Sequence, residues 1–590
     1  MNDAFITRDG RPLMTIVAGT SDTDRYAASE LASYLRLITN TSLPVLLDAS
    51  AAPTTPGGLI AVGEAAARVG VSPEDSLGDD GYLVRTVGSN LAITGGRRGV
   101  IYGVYEFLEH LGCRFFTPTC ERVPGITDLA LPDLDMRHVP GLEYRYHNYT
   151  DYLRNPRFAV KNRINGPVPI KEKFGGHLDY VWFVHTFDRI LNPEEWFDSH
   201  PEFFSMVHGE RVRHRTQLCL TNPEVLRRTI EKVREALAAN PDKRLISVSQ
   251  NDWANNCTCP DCARLDAYEG SSSGSLIHFV NRVAEAIEPD FPDAIIDTLA
   301  YQYSRPAPRH VRPRQNVCVR LCSIEACFAH PLEACDDATR HVMRPDGTRS
   351  SFIRDLEEWA EVCDRLYIWD YTTCFAHYPA PFPNWRALQP NMQAFARNNV
   401  RGVFEQACGA VGGGVDLNEL RAYLIGRLLW DPSCDYERHK SEFLETYYGD
   451  ASPLVAAYLE TLCDVVDRHN IHLGFNDQCD RPHLSEELLD RYEALLREAL
   501  DAVIGDPVRL MRVARILLSI RWVRIKNRAM LHGQLDPETV REFFLDWRAH
   551  GLTRIDEWVA PETTHRALIE GRWRGTEYYD HWTDEGPEEL

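Results

Sequence analysis

Between about residues 140 and 410, short apolar runs recur, and most of them break off into polar or aromatic side chains. The runs lie at 143–148, 181–185, 245–249, 295–301, 317–322, 366–369 and 400–404, with a weaker one near 161–165. Helical or irregular stretches separate them. About eight strands spread over roughly 270 residues have the size and rhythm of a (β/α)8 TIM-like barrel. In such a barrel the C-terminal strand ends converge on one pocket. Here those ends carry His147-Asn148, His185-Thr186, Gln250-Asn251-Asp252, Tyr301-Gln302-Tyr303, Glu325, Asp370-Tyr371 and Glu405-Gln406.

The flanks have other periods. Ala28, Leu31, Leu35 and Ile38 recur at helical spacing after residues able to cap a helix, and strand-like runs follow at 59–62, 81–86 and 91–94. A second helix begins near Gly99 and ends at Gly112. The turn Gly95-Gly96-Arg97-Arg98-Gly99 reads as a tight turn, with anion binding as the alternative. After Gly412-Gly413-Gly414 the pattern is helical: Leu417, Leu420, Leu424 and Leu428 form one stripe, and Leu488, Tyr492, Leu496 and Leu500 another. Asp506-Pro507 and Asp536-Pro537 read as helix starts and Gly551 as a stop. The division expected is a small α/β domain at 1–137, the barrel at 138–412 and an all-helical region at 413–590, with an acidic tail at 584–590.

Lys and Arg number 64 against 86 Asp and Glu, a net −22 with no basic cluster, which argues against a nucleic-acid partner or an anionic membrane surface. No window offers about 18 consecutive apolar residues, and the N-terminus lacks a basic segment followed by an apolar one. The chain as written is expected in the cytoplasm; one whose signal peptide had been removed would read the same and be secreted. A carbohydrate is the partner the tips suggest, and a homo-oligomer stays open.

Acids at the ends of apolar strands carry the chemistry. In Ser247-Val248-Ser249-Gln250-Asn251-Asp252-Trp253 the run ends in amides, a carboxyl and an indole, groups that a sugar pocket uses and a buried strand has no need of. Asp252 is read as catalytic, against a helix cap or loop ion pair, and Glu405 in Phe404-Glu405-Gln406 repeats the pattern. Glycoside hydrolysis needs one protonated carboxyl to give its proton to the leaving oxygen and one ionised carboxylate. His185, Asn251, Trp253, Tyr301, Tyr303, Glu325, Trp369, Asp370 and Tyr371 are expected to bind substrate, with Trp182 and Trp385 as further stacking faces. His200, in His200-Pro201-Glu202-Phe203, reads as structural. No cofactor is required for this chemistry. Cys257, Cys259 and Cys262 fall within six residues; with a distant fourth ligand they suit a structural zinc ion, while a disulfide and free thiols remain open.

At this point the chain resembles known families. The run from Ile93 to Leu108, followed by Gly112-Cys113-Arg114-Phe115-Phe116, looks like the small α/β domain that precedes the barrel in α-glucuronidases and β-hexosaminidases. His200-Pro201-Glu202-Phe203, Gln217-Leu218-Cys219-Leu220, Gln250-Asn251-Asp252 with its Cys-x-Cys-x-x-Cys tail, Cys322-Ser323-Ile324-Glu325, His330-Pro331-Leu332, Trp369-Asp370-Tyr371, Pro381-Phe382-Pro383-Asn384 and Leu429-Trp430-Asp431-Pro432 are similar to domain-of-unknown-function family 4838. That family overlaps glycoside hydrolase family 163, which acts as an endo-β-N-acetylglucosaminidase. The resemblance runs from about residue 20 to 440. It implies a retaining glycosidase on a (β/α)8 barrel, in which the substrate's 2-acetamido oxygen can attack C1. Asp252 and Glu405 fit the acid and the acetamide-orienting carboxylate, in either order. The alternatives are a glycosidase for uronic acids or small oligosaccharides, and a carbohydrate-binding barrel without catalysis.

Overall fold

The computed structural model describes residues 4–47 and 57–571; the acidic tail at 584–590 lies outside them. The chain divides into two compact units, one built from Met1–Tyr146, Asp151–Asp179 and Gly426–Cys434, the other from His147–Thr150, Tyr180–Ile425 and Asp435–Leu590.

The first unit is a mixed sheet with helices. Its strands are β1 (Thr15–Ala18), β2 (Val45–Leu46), β3 (Leu59–Val62), β4 (Tyr82–Val87), β5 (Asn90–Gly95) and β6 (Asp135–His138), in the order β6-β4-β5-β3-β1-β2. Helix α1 (Asp22–Thr39) starts where the Ser21 side chain accepts from the Asp24 amide, and it buries Ala28, Leu31, Leu35 and Ile38, the face expected from their spacing. Helix α2 spans Gly99–His110. The 95–99 turn is closed by protein: a Cβ at Gly99 would lie 1.9 Å from the Gly81 carbonyl oxygen, and Arg98 pairs with buried Asp80. Arg145 takes the other Asp80 oxygen at 3.2 Å. Together these cations hold Asp80 below the ordinary aspartate range against the desolvation that would raise it.

The second unit is a curled, parallel half-barrel with helices. Its elements in order are α3 (Pro223–Ala238), β7 (Leu245–Ser247), α4 (Ser273–Ile287), β8 (Ile295–Ala300), β9 (Val317–Cys322), α5 (Phe352–Val362), β10 (Leu366–Tyr371), α6 (Trp385–Arg397) and β11 (Val400–Gln406). Each of the five strands pairs in parallel with the next. Two expected strands are absent among the described residues. At 161–165 the chain leaves a helix, Pro156–Lys161, and turns left-handed at Arg163, whose guanidinium is buried against Glu106 and Glu109. At 181–185 the segment runs beside β7, with Val181 N donating to Leu245 O (2.8 Å) and Ser247 N to Trp182 O (2.9 Å), but His185 at φ 53° breaks the ladder. The run at 143–148 forms the short strand Tyr144–His147.

Alternation along the strands decides what faces inward. Asp297, Arg320 and Tyr367 share the face whose later positions line the cavity described below. The Arg320–Asp297 ion pair is fully buried at 3.4 Å, and Asp297 also accepts from Tyr180 Oη (3.2 Å) and Ser247 Oγ (3.1 Å).

The C-terminal region is helical: α7 (Tyr436–Tyr448), α8 (Ser452–His469), α9 (Glu486–Ala502), α10 (Pro507–His532), α11 (Pro537–Ala549) and α12 (Pro561–Glu570). Asp506 and Asp536 cap α10 and α11 with proline in the first turn, and Gly551 at φ 72° follows α11. The buried stripe of α9 is Leu489, Tyr492, Leu496 and Ala499 rather than 488-492-496-500, because 3.6 residues per turn makes a core face alternate steps of three and four. No helix among the described residues is long and apolar enough to cross a membrane.

Arg320→Ala strands the Asp297 carboxyl in the interior, so it should lower the stability of this unit by about 3–5 kcal/mol. Adding Asp297→Leu should recover part of the loss. Urea unfolding of the single and double variants checks this, and a neutral Arg320→Ala would show that the pair does not hold the sheet.

Candidate active site

At the C-terminal ends of β8 to β11 lies a cavity of about 480 Å3. Leu299, Tyr301, Cys322, Trp369, Tyr371 and Gln406 line it from the sheet. These are alternate positions on neighbouring strands, so they share one face, and Trp369 and Tyr371 lie nearly parallel with ring centroids 6.2 Å apart. His185, Arg215, Asp252 and Trp253 add a second wall, with the Arg215 guanidinium 5.3 Å from the Trp253 ring centroid. Phe375 and Phe475 contribute further apolar surface, and Glu557 and Trp558 reach in from the loop between α11 and α12.

Asp252 reaches the cavity because its neighbours are held elsewhere. Gln217 Nε2 donates to the carbonyls of Asn251 (2.9 Å) and Trp253 (2.6 Å), and its Oε1 accepts from the Asn251 amide (2.8 Å). The buried Asn251 side chain donates to Asp188 (2.6 Å) and the Thr216 carbonyl (3.0 Å), while Gln250 donates to the Tyr301 carbonyl (3.1 Å). The two amides therefore build the loop, leaving Asp252 and Trp253 at its surface. Tyr301 Oη donates to Asp252 Oδ1 at 2.9 Å, and Gln302 Nε2 donates to that hydroxyl at 3.0 Å.

Glu557 is a cavity carboxyl that the sequence did not single out. Asp556 Oδ1 accepts from the amides of Trp558 (2.9 Å) and Val559 (2.6 Å), an Asx turn that bends the loop, and the Glu557 amide donates to the Phe375 carbonyl at 3.0 Å. The carboxyl opens to the cavity and accepts from Gln406 Nε2 (3.2 Å); Gln406 Oε1 accepts in turn from Trp369 Nε1 (2.8 Å). The protein packed around it, and then the charges of Asp252 and Asp556, push Glu557 up to about 7. The only local sequence signal is Asp556-Glu557-Trp558 shortly after the helix-ending Gly551.

Of the residues expected here, His185, Asp252, Trp253, Tyr301, Trp369 and Tyr371 share the cavity. Asp370 and Glu405 do not line it. They are paired across β10 and β11, each is the sequence neighbour of a cavity-lining position, and alternation turns both to the opposite face. Ser323 Oγ donates to Asp370 at 2.5 Å, and burial pushes Asp370 up to about 6. Glu405 is 2% exposed, its Oε2 has no partner among the described residues, and burial with the nearby Asp370 charge raises it well above the ordinary range. Glu325 is held by Arg305 at 3.0 Å, Tyr303 lies outside the cavity lining, and Trp385 is buried beneath Arg421. Trp182 also lies outside the lining, and His200 stacks on Phe203 with ring centroids 4.5 Å apart.

Three residues on the cavity wall, His185, Arg215 and Gln302, have left-handed backbones (φ 53°, 50° and 51°). Such conformations cost about 1–3 kcal/mol each and persist where the surroundings over-determine them.

Cys257, Cys259 and Cys262 gather with Cys219, and all four are buried. The Cys219 sulfur lies 3.7 Å from that of Cys259 and 4.0 Å from that of Cys262. Zn–S bonds of about 2.3 Å set tetrahedral S···S edges of roughly 3.8 Å, so the donor set fits zinc. Cys259 also occupies the N-cap position of a helix, Pro260–Glu269.

The family model described as Domain of unknown function (DUF4838) matches residues 115–460. No curated protein sequence matches the chain. Among solved structures it is similar to a GH138 enzyme targeting pectin rhamnogalacturonan II, at 9% identity and a TM-score of 0.44, covering 91% of this chain and 72% of that one. It is similar to Streptomyces plicatus N-acetyl-beta-hexosaminidase in complex with Thio-NAglucal, at 13% identity and 0.38, covering 75% and 90%. It is also similar to a family 89 glycoside hydrolase from Clostridium perfringens in complex with 2-acetamido-1,2-dideoxynojirmycin, at 10% identity and 0.46, covering 90% and 64%.

Removing the Asp252 charge should let the Glu557 carboxyl fall from about 7 toward the usual glutamate range. Infrared titration of isotope-labelled carboxyls in wild type and Asp252→Asn checks this. No difference between the two would mean that the carboxyls do not sense each other.

Proposed function

We propose that this chain, which belongs to the DUF4838 family, is a glycoside hydrolase whose working carboxyls are Asp252 and Glu557. The observation that carries this reading is two carboxyl groups facing one aromatic-walled cavity, one of them pushed up to about 7 by its surroundings. That asymmetry is what glycosidic cleavage asks of its acid. Glu557, raised by its surroundings, is the group that gives its proton to the leaving oxygen. Asp252, accepting from Tyr301, takes the carboxylate role. Glu557 thus replaces Glu405 as the partner of Asp252. The five parallel strands and the edge segment beside β7 are read as part of a (β/α)8 barrel.

The substrate proposed is a glycan containing β-linked N-acetylglucosamine, cleaved internally with retention. In that scheme Asp252 and the Tyr301 hydroxyl orient the 2-acetamido group for attack on C1, while Trp253, Trp369 and Tyr371 offer stacking faces for neighbouring sugars. A second reading rests on Arg215: a guanidinium on the cavity wall suits a sugar carboxylate, so a uronic-acid glycan is the alternative. The four thiols of Cys219, Cys257, Cys259 and Cys262 are proposed to hold a structural zinc ion that stiffens the loop after Asp252; it takes no part in the chemistry.

On an N-glycan substrate, Asp252→Asn and Glu557→Gln should each lower kcat by about 10²- to 10⁴-fold while circular dichroism stays native. Wild-type turnover in both would end the proposal. Because Glu557 must be protonated, activity should fall as pH rises through about 7, and Glu557→Gln should lose that alkaline limb. Arg215→Ala should raise KM for uronides alone if the second reading holds. Cys219→Ser with Cys262→Ser should remove one zinc ion per chain by native mass spectrometry, and an unchanged metal content would exclude this site.

A further inference from the structure

Away from the cavity, a second group of soft ligands converges that no sequence spacing announces. Cys327, His330 and Cys335 lie on the loop after β9, and His472 lies just beyond α8, 137 positions from Cys335. One ligand atom from each falls within 4.8 Å of all the others. Cys327 Sγ is 3.4 Å from His330 Nδ1, and Cys335 Sγ is 3.6 Å from His472 Nδ1. The two imidazole rings meet edge to face with centroids 4.7 Å apart.

We propose that Cys327, His330, Cys335 and His472 form a tetrahedral Cys2His2 zinc site. Zn–S bonds of about 2.3 Å and Zn–N bonds of about 2.0–2.1 Å fix tetrahedral S···N edges of roughly 3.5 Å, and the two recorded edges bracket that value. Two thiolates and two imidazoles form a soft and borderline donor set, which selects zinc over calcium or magnesium. A second observation lies outside the four ligating atoms. The far ring nitrogen of His472, Nε2, lies 3.3 Å from Asp336 Oδ1, and Asn470 Nδ2 donates to the same carboxylate oxygen at 3.3 Å. A carboxylate on the outer nitrogen is the arrangement that orients a zinc-bound histidine and fixes its tautomer. Cys327 is buried while the other three ligands are only partly so, which leaves an entry path for the ion.

The site would join two distant parts of the chain at a useful place. Phe328 N donates to the Leu473 carbonyl at 3.0 Å, and two residues further on Phe475 accepts from the Phe375 amide at 2.7 Å. Both Phe375 and Phe475 line the cavity. A metal at His472 therefore pins the strip of C-terminal chain that forms one cavity wall, and does so without touching substrate.

The test is anomalous diffraction at the zinc edge from crystals of the full chain, equilibrated with zinc chloride under reducing conditions. A peak enclosed by the two sulfurs and two imidazoles is expected. Absence of that peak, or a Cys327–Cys335 disulfide in its place, overturns the proposal. Native mass spectrometry provides the second measurement: Cys335→Ser with His472→Ala should lose one zinc ion per folded chain while the cluster at Cys219 keeps its own. Unchanged zinc content in that variant likewise overturns it.

Discussion

A single ion pair sets the terms for the half-barrel. Arg320 and Asp297 are both fully buried on the face that becomes the cavity further along the strands. Two charges taken out of water cost several kcal/mol apiece, a cost that close approach and satisfied hydrogen bonds must offset. The required partners come from Tyr180 and Ser247, and the Arg320 guanidinium sits among the rings of Tyr180, Phe183 and Tyr367 at 5.3–5.6 Å. Those groups belong to the edge segment, β7, β8, β9 and β10. The charge pair thus fixes their mutual register, and Gly402 on β11 leaves room for the Tyr367 ring, which a Cβ there would meet at 2.7 Å.

With the lower interior closed in this way, the upper ends of the same strands can open. Alternation carries the pattern upward from Asp297 to Leu299 and Tyr301, from Arg320 to Cys322, and from Tyr367 to Trp369 and Tyr371. The cavity is thus the continuation of a packed face, with aromatic walls set by strand geometry. Its chemistry comes from elements that are not strands. Asp252 stands on a loop braced by Gln217, and Glu557 on a turn bent by Asp556. Burial of Glu557, with the Asp252 and Asp556 charges nearby, is what raises its carboxyl. The C-terminal region is therefore a source of cavity residues as well as of helical packing.

The thiol clusters belong to the same design problem. Loops that carry cavity residues lack the hydrogen-bonded ladder of a strand and must be held by other means. The Cys257–Cys259–Cys262 run follows Asp252 and Trp253 in the chain and meets Cys219, two residues from the Gln217 that braces their loop. In the Cys327, His330, Cys335 and His472 group, His472 lies three residues before Phe475. Crosslinking by metal is one way for a chain to obtain rigidity where backbone pairing ends.

Much of the fold was legible in the residues. Helix α1 and its cap, the starts of α10 and α11, the five parallel strands and the acid at Asp252 all rest on local rules: side-chain period, capping chemistry and a polar break after an apolar run. The same rules misplaced Asp370 and Glu405, because a side chain next to a cavity-lining position in a strand must point the other way. They suggested a strand at 161–165 where Arg163 is drawn off by Glu106 and Glu109. The meeting of Glu557 with Asp252, of Cys219 with the Cys257–Cys262 run and of His472 with Cys335 left no local sign, since nothing in a short window encodes which distant segment packs beside it. What the sequence determined by itself was helix α1 with its buried face, the starts of α10 and α11 and the five parallel strands, which follow from local sterics and hydrophobic period. Only the tertiary structure decided which carboxyls share a cavity and which thiols and imidazoles meet, because those pairings depend on long-range packing that brings separate loops to one place.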